Sequence, residues 1–360
     1  MGESGPAFAD ASLQERRAEV GGAAPRVGTP NRSAVRSGPL PNYAYVGGLE
    51  RNRMLPTALG ALRPSALVST TFSQGDVGRL PGQVAIVGTP ALRDFHAGLC
   101  AANLRASGID ALAVELELEL DRADANPLGI ARRFDDAGWR AQVAAQLAQR
   151  LQGVDRVGLP AVVGVTDPHG AWNDLIDRIE RPAFEIPTLP PSVPGMRVFE
   201  ILYHALRSAG GRLVLGAGVV SHRREGERVT AVDTATAGSS TAYEAEAFVL
   251  ASGGFHSGAI ALDSHWQARE QVLGLPLAGV PAADERRFAP GYFEEQPLAR
   301  CGVAVDSELR PHGVANVVVA GASLPGSVSW REASGEGIAL ASGYRAAQLL
   351  AAQLGAEVMA

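Results

Sequence analysis

Between Cys301 and Ala347 three segments follow one another: GVAVDSELRP (Gly302–Pro311), NVVVAGAS (Asn316–Ser323) and SGEGIALASGYRAA (Ser334–Ala347). They read as a short strand with an acidic turn, an apolar strand ending at Gly321, and a helix entered through Gly335 and Gly337. A helix N-terminus presents N–H groups that lack intrahelical partners, together with the positive end of the helix dipole. Glycines at that point let an electron-rich ring or a phosphate approach the backbone. This order is the closing half of a dinucleotide-binding fold. The opening half, a strand running into G-x-G-x-x-G, occurs nowhere in the 360 residues.

Composition excludes several alternatives. A chain of 360 residues can hold two domains and a sizeable core. Hydrophobic residues make up 46% and charged residues 19%, a globular balance. The net charge of −6 leaves no electrostatic footprint for nucleic acid. All 32 basic side chains counted as lysine or arginine are arginine, which rules out a P-loop, a Schiff-base lysine and a pyridoxal site. Cys100 and Cys301 stand far apart and form no CxxC motif, so both are expected to be small core residues. The seven histidines show no H-x-x-x-H spacing for a metal. No run approaches the ~20 apolar residues of a membrane span. Met1–Asp10 lacks the basic start and apolar stretch of a secretory signal. Membrane contact, if any, is expected through a partner.

The pattern divides the chain into four parts. Residues 1–42 are rich in Gly, Ala, Pro, Ser and Arg without periodicity, and are expected to be a disordered leader. Residues 43–80 read as a remnant of a ligand-binding domain, 81–195 as an inserted α/β domain, and 196–360 as the closing half of the ligand-binding domain. VAIV (Val84–Val87) predicts a buried strand. Thr89-Pro90 predicts a helix start with Phe95, Leu99 and Ala102 on its apolar face, stopped by Gly108. Leu112–Leu120 alternates strictly, with Val114, Leu116, Leu118 and Leu120 against Glu115, Glu117 and Glu119, as in a half-exposed strand. Val143, Leu147 and Leu151 predict one helix, and Leu175, Ile176 and Ile179 another, with a strand at Arg156–Val163 between them.

PTLPPSVPG (Pro187–Gly195) predicts a rigid extended loop. A helix burying Val198, Ile201, Leu202 and Leu206 follows, and Gly210-Gly211 ends it. Arg212–Leu215, Arg228–Thr234 and Ala247–Leu250 predict strands of an antiparallel meander, with Gly216–Gly218 as a strand bend.

The candidate binding residues are glycine turns at strand ends. Ser252, Gly253 and Gly254 follow the strand at Ala247–Leu250; Gly321 and Ala322 follow the strand at Asn316. Gly335, Glu336 and Gly337 open the last helix. Open α/β sheets bind ligands at the carboxyl ends of their strands. VAIVGTPALRD lacks the second and third glycines of a nicotinamide site and reads as an ordinary strand–helix turn. His256, two residues past Gly254, is the one histidine near these turns and is the candidate for a catalytic base. Arg63 in GALRP and Arg197 after the proline-rich loop are the candidates for holding an anionic substrate, because a guanidinium fork suits phosphate.

PTLPPSVPGMR (Pro187–Arg197), VLASGGFHSG (Val249–Gly258), GVAVDSELRP and NVVVAGAS together resemble the B-subunit family of anaerobic glycerol-3-phosphate dehydrogenase, over roughly Met54 to Leu350. The proline-rich loop is the most specific segment. The C-terminal segment is similar more widely to fumarate-reductase-like flavoproteins. The resemblance implies an α/β fold: a partial Rossmann-like flavin-binding domain of the FAD/NAD(P)-binding type, with an inserted α/β domain and a β-meander. It implies a flavin cofactor, FMN or FAD, and two partners, the A and C subunits of the same complex. The A partner would oxidise glycerol 3-phosphate to dihydroxyacetone phosphate, and the C partner would pass electrons to quinone at the membrane. The implied location is cytoplasmic, at the inner face of the cell membrane through a partner. The family opens with the strand and glycine-rich turn that this sequence does not show. Either the present start lies downstream of that motif, or the chain is a degenerate member serving as a flavin-free docking protein in the complex. Another fumarate-reductase-like flavin oxidoreductase is the remaining alternative.

Overall fold

A computed structural model describes residues 45–48, 50–77, 82–236, 238–332 and 334–355. The expected leader, 1–42, lies outside them. The chain divides into two compact units, one ending at Gly211 and one beginning at Arg212.

The first unit is built on a four-stranded parallel sheet. Its strands are β1 (Val84–Gly88), β2 (Ala111–Glu115), β3 (Arg156–Pro160) and β4 (Ala183–Ile186), in spatial order β2-β1-β3-β4. Every residue of β1, β3 and β4 is buried, as parallel strands covered on both faces require. Helices α1 (Ala97–Ala106), α2 (Pro127–Asp135), α3 (Ala137–Arg150), α4 (Pro168–Ile179) and α5 (Val193–Ser208) connect or follow the strands. Their starts obey local chemistry. Asn126, Asp136, Asp167 and Ser192 each accept a backbone N–H from the first turn of the helix they precede, and α2, α4 and α5 carry proline in that turn. Two short hairpin-like strand pairs and a 3-10 turn, between Tyr45 and Gly75, pack on the same unit: Val68 and Phe72 meet Ala161.

Several sequence expectations change here. The helix after β1 starts at Ala97, because Thr89–Phe95 closes two successive turns first: Leu92 N–H bonds Thr89 O and Phe95 N–H bonds Leu92 O. The buried face of α1 is therefore Ala97, Cys100, Ala101 and Leu104, and Leu99 is exposed. The alternation of Leu112–Leu120 survives in burial, but the ladder to β1 ends with Leu116 N–H donating to Gly88 O. The proline-rich loop ends earlier than expected, since Val193–Gly195 already belong to α5. In α5 only Val193 and Arg197 are buried, and Leu202 and Leu206 are exposed. The unit boundary falls after α5 rather than at 195/196. Arg197 ties that helix to the first unit's sheet and to the loop after β3.

The second unit contains the meander β5 (Gly218–Glu225), β6 (Arg228–Thr236) and β7 (Ser239–Glu244). Its composition differs from expectation. Arg212–Leu215 is unpaired among the described residues, and Leu213, Val214 and Leu215 are exposed. The strand expected at Ala247–Leu250 leaves the meander: β8 (Phe248–Leu250) instead runs parallel to a later strand. Short pairs follow, β9 (Ile260–Leu262) with β10 (Ala268–Glu270), and β11 (Leu277–Ala278) with β12 (Gly302–Val303). Then come β13 (Val317–Val319), the parallel partner of β8, and helix α6 (Gly335–Leu354).

Strand β13 is buried on both faces by period-two alternation. Val317 and Val319 join a core with Val229, Leu250, Leu275 and Val303, and Val318 packs with Ala346 and Leu349 of α6. Asn316, fully buried, binds the meander to this pair: its side chain accepts from Val229 N–H and donates to the carbonyls of Val229 and Glu246.

Candidate functional site at the ends of the parallel pair

The carboxyl ends of β8 and β13 bring two glycine turns together. The ladder continues one step beyond the strands, with Ala320 N–H donating to Leu250 O at 2.9 Å. Past it the backbones separate and one side chain joins them. Ser323 Oγ accepts from Gly253 N–H and donates to Gly253 O, both at 3.0 Å. The turns are also in direct contact: a Cβ at Gly254 would lie 3.1 Å from Ala322 O. Gly253 and Gly321 have φ of +89° and +68°, the left-handed region that glycine adopts freely.

Helix α6 approaches the same turns. Gly321 N–H donates to Ser342 Oγ at 2.8 Å, and Ser342 Oγ donates to Ile338 O within the helix. The helix opens at Gly335, with no side-chain cap from Ser334. Its first-turn N–H groups have no intrahelical acceptors and present partial positive charge. A Cβ at Gly321 or at Gly337 would meet nothing within 4 Å. The backbone there faces open space, which leaves room for a flat ring to lie against it. Glu336 is exposed on the first turn, where its carboxylate complements the helix dipole.

Ser252–Gly254, Gly321–Ala322 and Gly335–Gly337 thus belong to one unit, and hydrogen bonds connect both glycine turns to it. The other expected site residues fare differently. His256 sits in a one-turn 3-10 segment, Phe255–Ser257, exposed and with no acid partner among the described residues to orient its ring. A general base is normally held by such a partner. Arg63 is exposed on a hairpin strand of the first unit, paired across to Leu55.

Arg197 is not available as a substrate anchor. It is 1% exposed and donates to both carboxylate oxygens of Glu185, at 2.6 and 2.9 Å, and to the carbonyls of Gly164 and Val163. Its fork is committed to a carboxylate of the protein itself. A guanidinium does bind an anion here, as the sequence suggests, but the anion is internal.

Two other concavities bear on where a ligand could sit. In the first unit the sheet order reverses between β1 and β3, the position at which open α/β sheets usually bind ligands. Val87, Leu92, Leu116, Phe134, Leu159 and Val162 fill it, leaving a cavity of about 20 Å³, the volume of a single water at most. In the second unit an open cleft of about 800 Å³ lies between β5 and the β10–β11 segment. Most of its polar groups already have protein partners: Glu270 accepts three backbone N–H groups, Ser221 donates to Asp233, and His222 Nδ1 lies 3.2 Å from Val272 O. Among the described residues no cluster of His, Cys, Asp and Glu could hold a metal ion. No described helix is long and apolar enough to cross a membrane.

A mixed α/β chain whose parallel strands end in glycine turns, with a helix N-terminus beside them, has the features of a flavin-binding oxidoreductase. Comparison with known proteins agrees. A family profile described as "FAD binding domain" matches residues 45–338. The chain is 31% identical over 318 residues to the probable B subunit of anaerobic glycerol-3-phosphate dehydrogenase from Halobacterium salinarum, covering 82% of this chain and 73% of that one. It is 30% identical over 321 residues to the B subunit of anaerobic glycerol-3-phosphate dehydrogenase from Yersinia pseudotuberculosis, covering 86% and 75%. Among solved structures, T. acidophilum thioredoxin reductase matches at 12% identity over 76% of this chain and 53% of that one. With a TM-score of 0.14, that likeness is too low to bear on the fold. The chain belongs to the FAD binding domain family and, within it, to the B-subunit family of anaerobic glycerol-3-phosphate dehydrogenase.

Proposed function

We propose that this chain is the flavin-bearing B subunit of a quinone-linked anaerobic glycerol-3-phosphate dehydrogenase. In this reading, glycerol 3-phosphate is oxidised to dihydroxyacetone phosphate and electrons pass to a membrane partner. The A and C subunits are the partners, and attachment is to the inner face of the cell membrane through one of them. The observation that carries the proposal is the pair of glycine turns at the carboxyl ends of β8 and β13, open to solvent at Gly321 and Gly337. Ser252–Gly254, Gly321–Ala322 and Gly335–Gly337 would hold the flavin, as FMN or FAD.

A bound flavin supplies an acceptor for a hydride from the substrate carbon. The backbone N–H groups at the start of α6 would favour negative charge on the ring edge they face. Arg63 remains a substrate-anion candidate in the first unit. The uncovered apolar side chains of the second unit, Val249, Leu340 and Tyr344, favour a second reading as a docking protein of the complex that holds no cofactor.

The test is spectroscopic. Purified chain, incubated with FMN or FAD and desalted, should keep a visible flavin spectrum that glycerol 3-phosphate bleaches without air. Retained flavin that responds to fumarate after chemical reduction, and not to glycerol 3-phosphate, would point to a fumarate-reductase-like enzyme. No retained flavin would favour the docking role.

A further inference from the structure

We propose that Ser323 and Ser342 are positioning residues of the flavin site, whose buried hydroxyls hold the two glycine turns in the shape that receives the cofactor. This rests on the flavin reading above. Gly253 and Gly321 both adopt positive φ, and glycine has more backbone freedom to lose than any other residue. Two bare glycine turns at strand ends would be the loosest part of the unit. Each is instead fixed by one serine.

Ser323 replaces the ladder where β8 and β13 separate. A hydroxyl has one proton and two lone pairs, so it can accept from Gly253 N–H and donate to Gly253 O together. The residue is 1% exposed, so water has no access to replace these bonds. Ser342 acts from the other side. Serine is a mediocre helix former, and α6 is otherwise rich in alanine and leucine. At 8% exposure its hydroxyl bridges Ile338 O and Gly321 N–H, coupling the helix to the second turn.

The arrangement also decides which N–H groups a ligand can use. Those of Gly253 and Gly321 are committed to the serines. Those of Gly254 and Ala322 have no acceptor among the described residues. The serines therefore hold Gly254 and Ala322, neighbours across the two turns, as the donors presented to the flavin.

Four single variants of the full chain test this by flavin titration, visible spectrum and urea unfolding. Ser342→Ala preserves the helix, because alanine is the best helix former, and gives up the bond to Gly321 N–H. Ser323→Ala removes both bonds to Gly253, and Ser323→Thr retains a hydroxyl. Asp136→Ala removes the cap of α3 in the first unit, a bond to Trp139 N–H, and serves as a control for lost stability alone.

Both serine-to-alanine variants should weaken flavin binding about tenfold, the effect of one disturbed hydrogen-bond arrangement, and alter the bound spectrum. Ser323→Thr should stay within about threefold of the parent, and Asp136→Ala should change neither affinity nor spectrum. Parent-like affinity and spectrum in both alanine variants would overturn the proposal. Should Ser323→Ala not fold, Ser342→Ala decides alone. A parent chain that takes up no flavin would overturn the flavin reading and this proposal with it, whereas a parent that binds while the variants bind equally well overturns only the role of the serines.

Discussion

Replacing Arg197 with methionine removes the cation from a pair buried at 1% and 2% exposure. Glu185 would keep one neutral donor, Val163 N–H at 3.2 Å, and the carbonyls of Val163 and Gly164 would each lose a guanidinium N–H. A buried carboxylate left without its counter-charge costs about 3–5 kcal/mol. Against a domain stability of about 5–15 kcal/mol that is a large fraction. With a urea dependence of about 2 kcal/mol per M, the midpoint should fall by roughly 2 M. Trp139 and Trp172 report on this unit, because both are buried in it, while Trp266 and Trp330 are exposed in the other. The double variant Arg197→Met, Glu185→Leu should recover part of the loss, with a coupling of about 1–3 kcal/mol between the positions. A midpoint that stays put in Arg197→Met, together with a rise in KM for glycerol 3-phosphate, would refute this reasoning. Arg197 would then release Glu185 to bind an external anion.

Further consequences are open to test. Gly321→Ala introduces no clash, but at φ +68° it should cost about 1–2 kcal/mol in backbone strain and lower flavin affinity; unchanged affinity would place the ring elsewhere. Burial, reinforced by the positive charge of Arg197, holds the His169 pKa below its ordinary 6.5. The unfolded chain then takes up the proton first as pH falls, so this contribution to stability is complete above that value and is lost below it. His169→Gln should flatten that acid limb, and an equally steep limb in the variant would count against the assignment. Burial pushes the thiols of Cys100 and Cys301 up to about 11. At about pH 8 the folded chain should resist a thiol reagent that labels both once urea unfolds it, because the thiolate is the reactive form; fast labelling of folded protein would contradict the burial.

Much of the architecture was legible along the chain. Val84–Val87 and Asn316–Ser323 are short apolar runs closed by glycine, and Val143, Leu147 and Leu151 recur at helical spacing; the runs form strands, the second only over Val317–Val319, and the spacing forms a helix ending at Arg150. The two glycine turns were legible for a similar reason. Glycine follows an apolar strand at both Gly253-Gly254 and Gly321, and the two turns lie at the ends of one parallel pair. Faces of short helices were harder to place. In α1 the expected apolar face of Phe95, Leu99 and Ala102 gave way to Ala97, Cys100, Ala101 and Leu104, because Thr89–Phe95 is taken up in turns and the helix starts only at Ala97. The strand expected at Arg212–Leu215 is apolar enough to pair, yet pairing depends on a neighbour that local sequence does not name.

Alternation, helical period and glycine placement are properties of consecutive residues, so the order of amino acids was enough to specify a glycine-lined α/β site and a family likeness. How polar side chains divide between building the protein and meeting a ligand emerged only once the chain was folded. Arg197 looked like an anion anchor and serves Glu185, 12 residues away. Ser323 and Ser342 looked like ordinary serines, yet they hold glycines 70 and 21 residues away. A hydrogen bond depends on distance and angle in space, and no pattern of neighbours along the chain carries that information.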